Sequence, residues 1–301
     1  MYQVKILPSS EIDFFKWDSC IEQNTNGLIY ANSFYLNTMA KQWYALVVND
    51  YEAVFPIPVK KKLGIQYAYM PSFTQQLGLI GNVKINNKVL INAIQSFLKY
   101  GSIHLNFSNK NFTEKIVEKN NFIIDLKNNY AAIKKKYKKT IAYSISKAAK
   151  QHFIYAKDDD IKKAVALYKL YNQKNMPHVK DTDYTNFKKL LLQLQKNNNV
   201  LVRKVENEKQ ELMSIALIIK DNKRYYNILN TTTEEGRKTE ANYFLYNNIL
   251  QELCNQNMLF DFEGSDLPGV KKFYEKFGAI NQPYFYWHYN LLPKPLQWLK
   301  K

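Results

Sequence analysis

Residues 259–279 read LFDFEGSDLPGVKKFYEKFGA, and this stretch decides the fold. Leu259 to Glu263 alternates in the manner of a strand, which sets Phe260 and Phe262 on one face and Asp261 and Glu263 on the other. Gly264 breaks the strand. Ser265 or Asp266 suits the cap of a following helix, and Pro268 suits its first turn, where a missing N–H costs nothing. Val270, Phe273 and Phe277 recur at helical spacing as a buried stripe, and Gly278 fits the left-handed residue that closes a helix. The unit is strand, tight turn, short helix, stop. It places two carboxylates at a strand end beside a helix N-terminus, whose unpaired N–H groups attract anions. The same pattern also fits a β-α corner with a solvated acidic face and no chemistry.

Outward from this unit, the second half of the chain predicts helices over 160–174 and 184–196. Three strands follow over 200–205, 214–220 and 224–229. A polar loop then spans 230–238, and a helix 240–256. The first half gives the same order: helices over 11–24 and 33–42, strands over 43–49, 53–59 and 65–70, a polar loop over 72–81, a helix over 86–100 and a strand over 103–107. A shift of 155 residues lays Leu90, Asn92 and Ile94 on Leu245, Asn247 and Ile249, and the strand 103–107 on 258–262. This self-similarity reads as a tandem duplication of one α/β unit. Asn106 and Ser108 stand where the second half has Asp261 and Glu263, so the chemistry is expected in or facing the second half. The division expected from sequence is 1–130 and 131–301.

Between the halves lies a basic segment, 131–151, with seven lysines from Lys134 to Lys150. It is expected to be a helix, broken near Thr140, that bridges the halves. Lys147 and Lys150 on it are candidates for binding phosphate. A solvated helix face is the alternative. The tail is expected to form an aromatic strand over 284–290 and to pack on the first domain, with Trp298 and Leu299 among lysines beyond it.

The 301 residues carry 46% hydrophobic side chains, 23 tyrosines and only 9 glycines, which marks a globular chain with a large core. The net charge of +17 attracts polyanions such as tRNA, nucleotides or phosphate-bearing cofactors. Cys20 and Cys254 are too few for a disulfide framework and are expected as buried, reduced thiols. No signal peptide and no apolar run of membrane-spanning length is evident, so the expected location is the cytoplasm. The four histidines are scattered, and no metal, triad, Walker or dinucleotide motif is present.

The stretch FDFEGSDLPGVKKFYEKFGA resembles the C-terminal signature of the Fem-type transferases and their acyltransferase relatives. There a strand ending in Asp-Phe and then Gly-Ser precedes a short helix with the pattern Phe-Lys-x-x-Phe-Gly-Ala. YSISKAAKQ, 143–151, resembles that family's basic helix, and SFYLNTMAKQW, 33–43, resembles its N-terminal helix and strand. The resemblance implies an α/β fold of two tandem GNAT-like (acyl-CoA N-acyltransferase) domains. It also implies transfer of an acyl group from coenzyme A, or of an amino acid from aminoacyl-tRNA, onto an amine. The chain departs from the family in Tyr274, where Lys is common, and shows no coiled-coil insertion of the kind that holds tRNA.

A conventional acetyl-CoA loop has the form Arg/Gln-x-x-Gly-x-Gly/Ala before a helix, so that backbone N–H groups hold the pyrophosphate. The equivalent stretch here is NTTTEEGRKTEAN, 230–242, in which Gly236, Arg237 and Lys238 are the candidates, with Gly264 and Ser265 across the turn. Acyl transfer to an amine needs a base for the ammonium and a donor for the carbonyl oxygen. Asp261 or Glu263 fits the first role and Tyr274 the second. No metal is implied, and no sequence-specific contact with DNA. A relative without catalysis, binding tRNA or another polyanion through Lys134–Lys150, is the alternative.

Overall fold

A computed structural model describes residues 2–264 and 266–297. The first-half elements are β1 (Val4–Pro8), α1 (Phe14–Gln23), α2 (Ser33–Met39), β2 (Trp43–Val48), β3 (Ala53–Lys62), β4 (Ile65–Ala68), β5 (Ile80–Gly81), α3 (Asn87–Phe97), β6 (Tyr100–Leu105) and β7 (Ile116–Lys119). Next come β8 (Phe122–Asp125), α4 (Tyr130–Lys135), α5 (Lys139–Ala149), β9 (Ile154–Asp158), α6 (Ile161–Asn172) and α7 (Asp181–Lys196). The chain continues through β10 (Val200–Glu206), β11 (Leu212–Lys220), β12 (Arg224–Thr232), α8 (Glu234–Lys238), α9 (Ala241–Leu253), β13 (Leu259–Asp261), α10 (Pro268–Lys276) and β14 (Ile280–Asn281). It closes with β15 (Tyr284–Asn290) and α11 (Lys294–Gln297).

Two compact units result. One is the chain up to Lys119 together with the stretch from Pro283 onward; the other is Asn120–Gln282. The boundary thus falls at Lys119/Asn120 and not at 130/131. The basic segment is a working part of the second unit and not a free bridge. It breaks at Lys136–Lys138 into α4 and α5, whose Ile133, Ile141 and Ala148 are buried in that unit's core.

The first sheet runs β1-β2-β3-β4-β6-β15-β7, with β5 beside β3; the second runs β9-β10-β11-β12-β13-β8-β14. Each has four antiparallel strands, one parallel step (β4 to β6, β12 to β13), then two antiparallel strands. The topology is one plan used twice. Each unit also takes one strand from beyond its own stretch of the repeat. β15, from the chain's end, lies against β6, and β8, which follows β7, lies against β13.

The cores follow the periodicity. On α3, Leu90 and Ile94 cover the alternate residues Ile103 and Leu105 of β6 and Phe285 and Trp287 of β15. On α9, Leu245, Ile249 and Leu250 cover Phe260, Phe262 and Phe277. Each such side chain stabilises its unit by roughly 1.5–3 kcal/mol on burial. Cys20 is buried, which pushes its thiol up to about 11, while Cys254 is only half-buried, contrary to expectation. No helix among the described residues is long and apolar enough to cross a membrane.

The two sheets differ at the parallel step. In the first unit, the stretch read as a polar loop re-enters the sheet. Leu77 bridges Leu105, its N–H donating to the His104 carbonyl at 2.7 Å and its carbonyl accepting from Asn106 N–H at 2.8 Å. The Asn106 and Asn109 amides donate to the Leu79 carbonyl, and β5 then pairs with β3. In the second unit, no segment among the described residues bridges the corresponding gap.

Candidate functional site

β12 and β13 are paired only across Arg224–Leu259, Tyr225–Phe260 and Tyr226–Asp261. β12 then runs on beside β11 to Thr232, whereas β13 ends at Asp261. The strands part, and a cavity of about 760 Å³ opens between them within the second unit. At the same level the β11–β12 register shifts, so that Asn227 and Ile228 together oppose Ile218. Both line the cavity. A bulge of this kind re-aims side chains and is common beside sites.

The strand that carries the two acids ends sooner than the sequence suggested, and the acids part company. Asp261 is 1% exposed and does not line the cavity. Its Oδ2 accepts from Arg224 Nη1 at 3.0 Å and from Asn121 Nδ2 at 3.2 Å, and its Oδ1 accepts from the Glu263 N–H at 3.0 Å. Burial pushes this carboxyl upward, while Arg224, Asn121 and the Glu263 N–H pull it back. The expectation of two carboxylates on one face is therefore corrected: Asp261 is held in the sheet's interior and Glu263 lines the cavity. Glu263 adopts φ 63°, a left-handed conformation that costs an ordinary side chain about 1 kcal/mol or more. The Asp261 bond and the Phe262 N–H to the Phe122 carbonyl (2.9 Å) enforce it.

Tyr274 lines the same cavity from α10, stacked on Phe262 with ring centroids 4.6 Å apart. Burial pushes its phenol up, and the nearby Glu263 carboxylate adds to this, followed by Tyr168 and Asp261. Tyr168 on α6 is pushed up to about 12 by burial, Tyr184 and Glu263, and its hydroxyl donates to Met176 Sδ at 3.2 Å. Both phenols therefore stay protonated at neutral pH; the Tyr168 proton is committed to Met176, which leaves Tyr274 as the donor of the two. Asn227 is 4% exposed, and its Oδ1 accepts no hydrogen bond from the described residues.

The predicted anion loop is more ordered than its sequence suggested. Thr233 caps α8 by accepting from the Gly236 N–H at 3.0 Å, so that amide is already engaged. A Cβ on Gly236 would lie 2.0 Å from the Met213 carbonyl oxygen, so close packing on β11 explains the glycine. Arg237 donates from Nη1 to the Thr232 carbonyl at 2.7 Å and lines the cavity. Glu240, at φ 62°, precedes α9 and puts a carboxylate near a helix N-terminus where an anion would otherwise sit. Asn242, on the first turn, accepts from Ser214 Oγ at 3.0 Å and Asn230 Nδ2 at 3.1 Å.

Of the residues nominated from sequence, Glu263, Tyr274, Gly236, Arg237 and Gly264 line one cavity. Asp261, Lys147, Lys150 and Lys238 do not. Lys147 Nζ donates to the Lys238 carbonyl at 3.0 Å, and Lys238, the last residue of α8, pairs with Glu234 at 3.0 Å. Ser265 lies outside the described residues, as do Trp298 and Leu299. Sequence reasoning missed Tyr168, Asn227 and Tyr243. Tyr168 sits in an apolar helical stripe, Asn227 gives no sign of a bulge, and nothing in the sequence marks Tyr243. Among the described residues, no group of three or more His, Cys, Asp or Glu side chains is placed to hold a metal ion.

The fold, two α/β units built on one sheet plan, is similar to that of solved Fem and tandem GNAT structures. The structure is similar to that of FemX, with a TM-score of 0.69, 13% identity, and coverage of 98% of this chain and 99% of that one. It is also similar to a tandem GNAT protein from the clavulanic acid biosynthesis pathway (TM-score 0.58, 9% identity, 97% and 100% covered). A third similar structure is L-PGS from Bacillus licheniformis (TM-score 0.55, 11% identity, 95% and 94% covered). No protein-family model matches the sequence, and no curated protein matches it significantly.

Proposed function

We propose that the protein is an N-acyltransferase that moves an acyl or aminoacyl group onto an amine acceptor, in the cavity of the second unit. The donor is an acyl-CoA or an aminoacyl-tRNA, and cell-envelope metabolism is the setting that Fem-like relatives favour. The observation that carries this reading is a carboxylate and a phenol, Glu263 and Tyr274, facing one cavity where two parallel strands separate. Separation leaves the β12 edge beyond Tyr226 without a ladder partner on that side among the described residues, so the N–H groups that point away from β11 face the space a ligand would fill.

In this reading Glu263 takes a proton from the acceptor ammonium, directly or through water. The freed amine attacks the donor carbonyl carbon, and a tetrahedral oxyanion forms. Tyr274 donates to that oxyanion or protonates the departing sulfur or ribose oxygen. Asn227 lines the cavity from the bulge, with its side chain against the buried Tyr246 phenol. Arg237 meets donor phosphate, and Lys147, Lys150 and Lys238 supply positive field beside α8 without touching the cavity.

Asp261 is a positioning residue in this scheme, because it acts through the Glu263 backbone. The lysines that cover α4 and α5 favour a second reading, a protein of this fold that binds a polyanion without catalysis. A thermal-shift screen separates the two. Stabilisation by acetyl-CoA or a longer acyl-CoA, or turnover of an aminoacyl-tRNA, supports transfer. Stabilisation by tRNA alone, falling steeply with salt and without turnover, supports the second reading.

A further inference from the structure

The first unit holds a cavity of its own, of about 460 Å³, and the duplication relates it to the one already described. Shifted by 155 residues, Gly81, Asn82, Asn87, Phe107 and Ser108 fall on Gly236, Arg237, Asn242, Phe262 and Glu263. All ten line their respective cavities. The glycine, the asparagine and the phenylalanine are kept. Both charged members are replaced by neutral ones: Arg237 has Asn82 for a counterpart, and Glu263 has Ser108. The zipped Leu77–Gly81 segment closes the gap between strands, so nothing can thread into the sheet here. What is left is a bowl above it.

Among the described residues, no charged side chain lines this bowl. Seven of its lining residues are Asn or Gln, namely Gln23 and six asparagines, and Phe107 and Phe112 lie among them. Some of the amides are spent on structure: Asn26 Oδ1 accepts from the Gly81 N–H, and Asn109 Oδ1 from the Leu79 N–H. The Ser108 hydroxyl is spent as well, donating to Asn106 Oδ1 at 2.7 Å and accepting from Asn26 Nδ2 at 2.8 Å. The side chains of Gln23, Asn82 and Asn111 hold no such bond to the described residues, and Thr25 adds a hydroxyl on the exposed side. A wall of amides offers both donors and acceptors in planar pairs, which match neighbouring hydroxyl groups. Without a cation it gives phosphate nothing to pair with. The volume is within the range of small-ligand sites.

We infer that this bowl is a non-catalytic binding site for an uncharged saccharide, formed from the duplicated cavity by loss of its charged pair. The site stands apart from the transfer reading, and either can fail alone.

The test uses the full-length protein with N-acetylglucosamine and its β-1,4 disaccharide, read by saturation-transfer NMR. Saturation should reach the sugar ring protons, with a millimolar dissociation constant. The Asn82→Ala/Asn111→Ala double variant should weaken binding at least fivefold, roughly the loss of one neutral hydrogen bond, at an unchanged melting temperature. Should that variant melt early, Gln23→Ala alone should weaken binding in the same direction. Glu263→Gln should bind sugar as the wild type does. Three results would overturn the site: no saturation transfer at about 10 mM sugar, binding indifferent to the bowl variants, or binding lost in Glu263→Gln. Displacement of the sugar by inorganic phosphate would do the same.

Discussion

Glu263 is a glutamate in a left-handed conformation, at the end of a strand, with its backbone N–H fastened to a buried aspartate. Side chains other than glycine are found there when the surroundings enforce it, and such strain gathers at functional sites. The two acids can be told apart by what their loss does. Glu263→Gln keeps the backbone bond and the volume, so the melting temperature should stay within about 2 °C. The transfer rate should fall by roughly 10²–10⁴, the usual contribution of a general base. Asp261→Asn removes the carboxylate that Arg224, 2% exposed, meets at 3.0 Å. Breaking a buried ion pair by removing one member costs about 3–5 kcal/mol, so this variant should melt on the order of 10 °C lower. Thermal melts and turnover on both variants settle the roles. If Asp261→Asn melts like the wild type while turnover disappears, Asp261 is the base and Glu263 is not.

Among the elements, the helix that covers the second sheet is pinned by an ion pair with a readable pH signature. On α9, Glu252 accepts from Arg203 of β10 at 2.8 and 2.6 Å and from the Tyr155 hydroxyl of β9. Burial pushes the Glu252 carboxyl up, but Arg203 and Tyr155 outweigh it and hold it below the ordinary value of 4.5. A carboxyl depressed on folding stabilises the folded state above its unfolded value and stops doing so as pH falls through the folded one. Glu252→Gln should therefore lower the melting temperature at pH 7, and the gap to wild type should close below about pH 4. A gap that persists unchanged at pH 3 would show that packing, and not the ion pair, is responsible.

At the same scale the sequence was legible where periodicity was strong. Helices α3, α7 and α9 and the hairpins β2–β3 and β10–β11–β12 have long, regular apolar patterns. The short strands β7, β8 and β14 were missed because two to four residues carry no period, and their pairing is set by strands distant in sequence. β5 and the Leu77 bridge were missed for the same reason: QQLGLIG reads as a turn until β6 is beside it. The site was half legible. Glu263 was marked by its place at a strand end, Tyr274 by the position that is Lys in the resembled family, and Arg237 by its place in the stretch equivalent to an acetyl-CoA loop. Asp261 was misplaced because strict alternation was carried past the residue where the strand stops, and Asn227 depends on a bulge that only the paired strand creates.

The whole molecule exchanges strands between its repeats, and this makes the chain's end essential to its beginning. β15 pairs with β6 from Phe285–Leu105 to Asn290–Tyr100 and also borders β7, so it sits inside the first sheet. Phe285, Trp287 and Tyr289 are 2%, 2% and 6% exposed and belong to the first unit's core. Removing large aromatics of this kind costs about 3–5 kcal/mol each, so losing three removes stabilisation of about the size of the 5–15 kcal/mol that usually holds a domain together. It also bares the β6 edge, a template for aggregation. A chain ending at Gln282 retains every strand of the second sheet, from β8 to β14. Hydrogen exchange on that truncated chain should show the amides of β2, β3 and β6 exchanging freely while those of β11 and β12 stay protected. Adding residues 283–301 back as a separate peptide should restore protection in β6, because the strand supplies pairing and core volume and needs no covalent link to do so. Protection of β6 in the truncated chain without peptide would mean that the first repeat folds on its own strands, and that the exchange is ornamental to its stability.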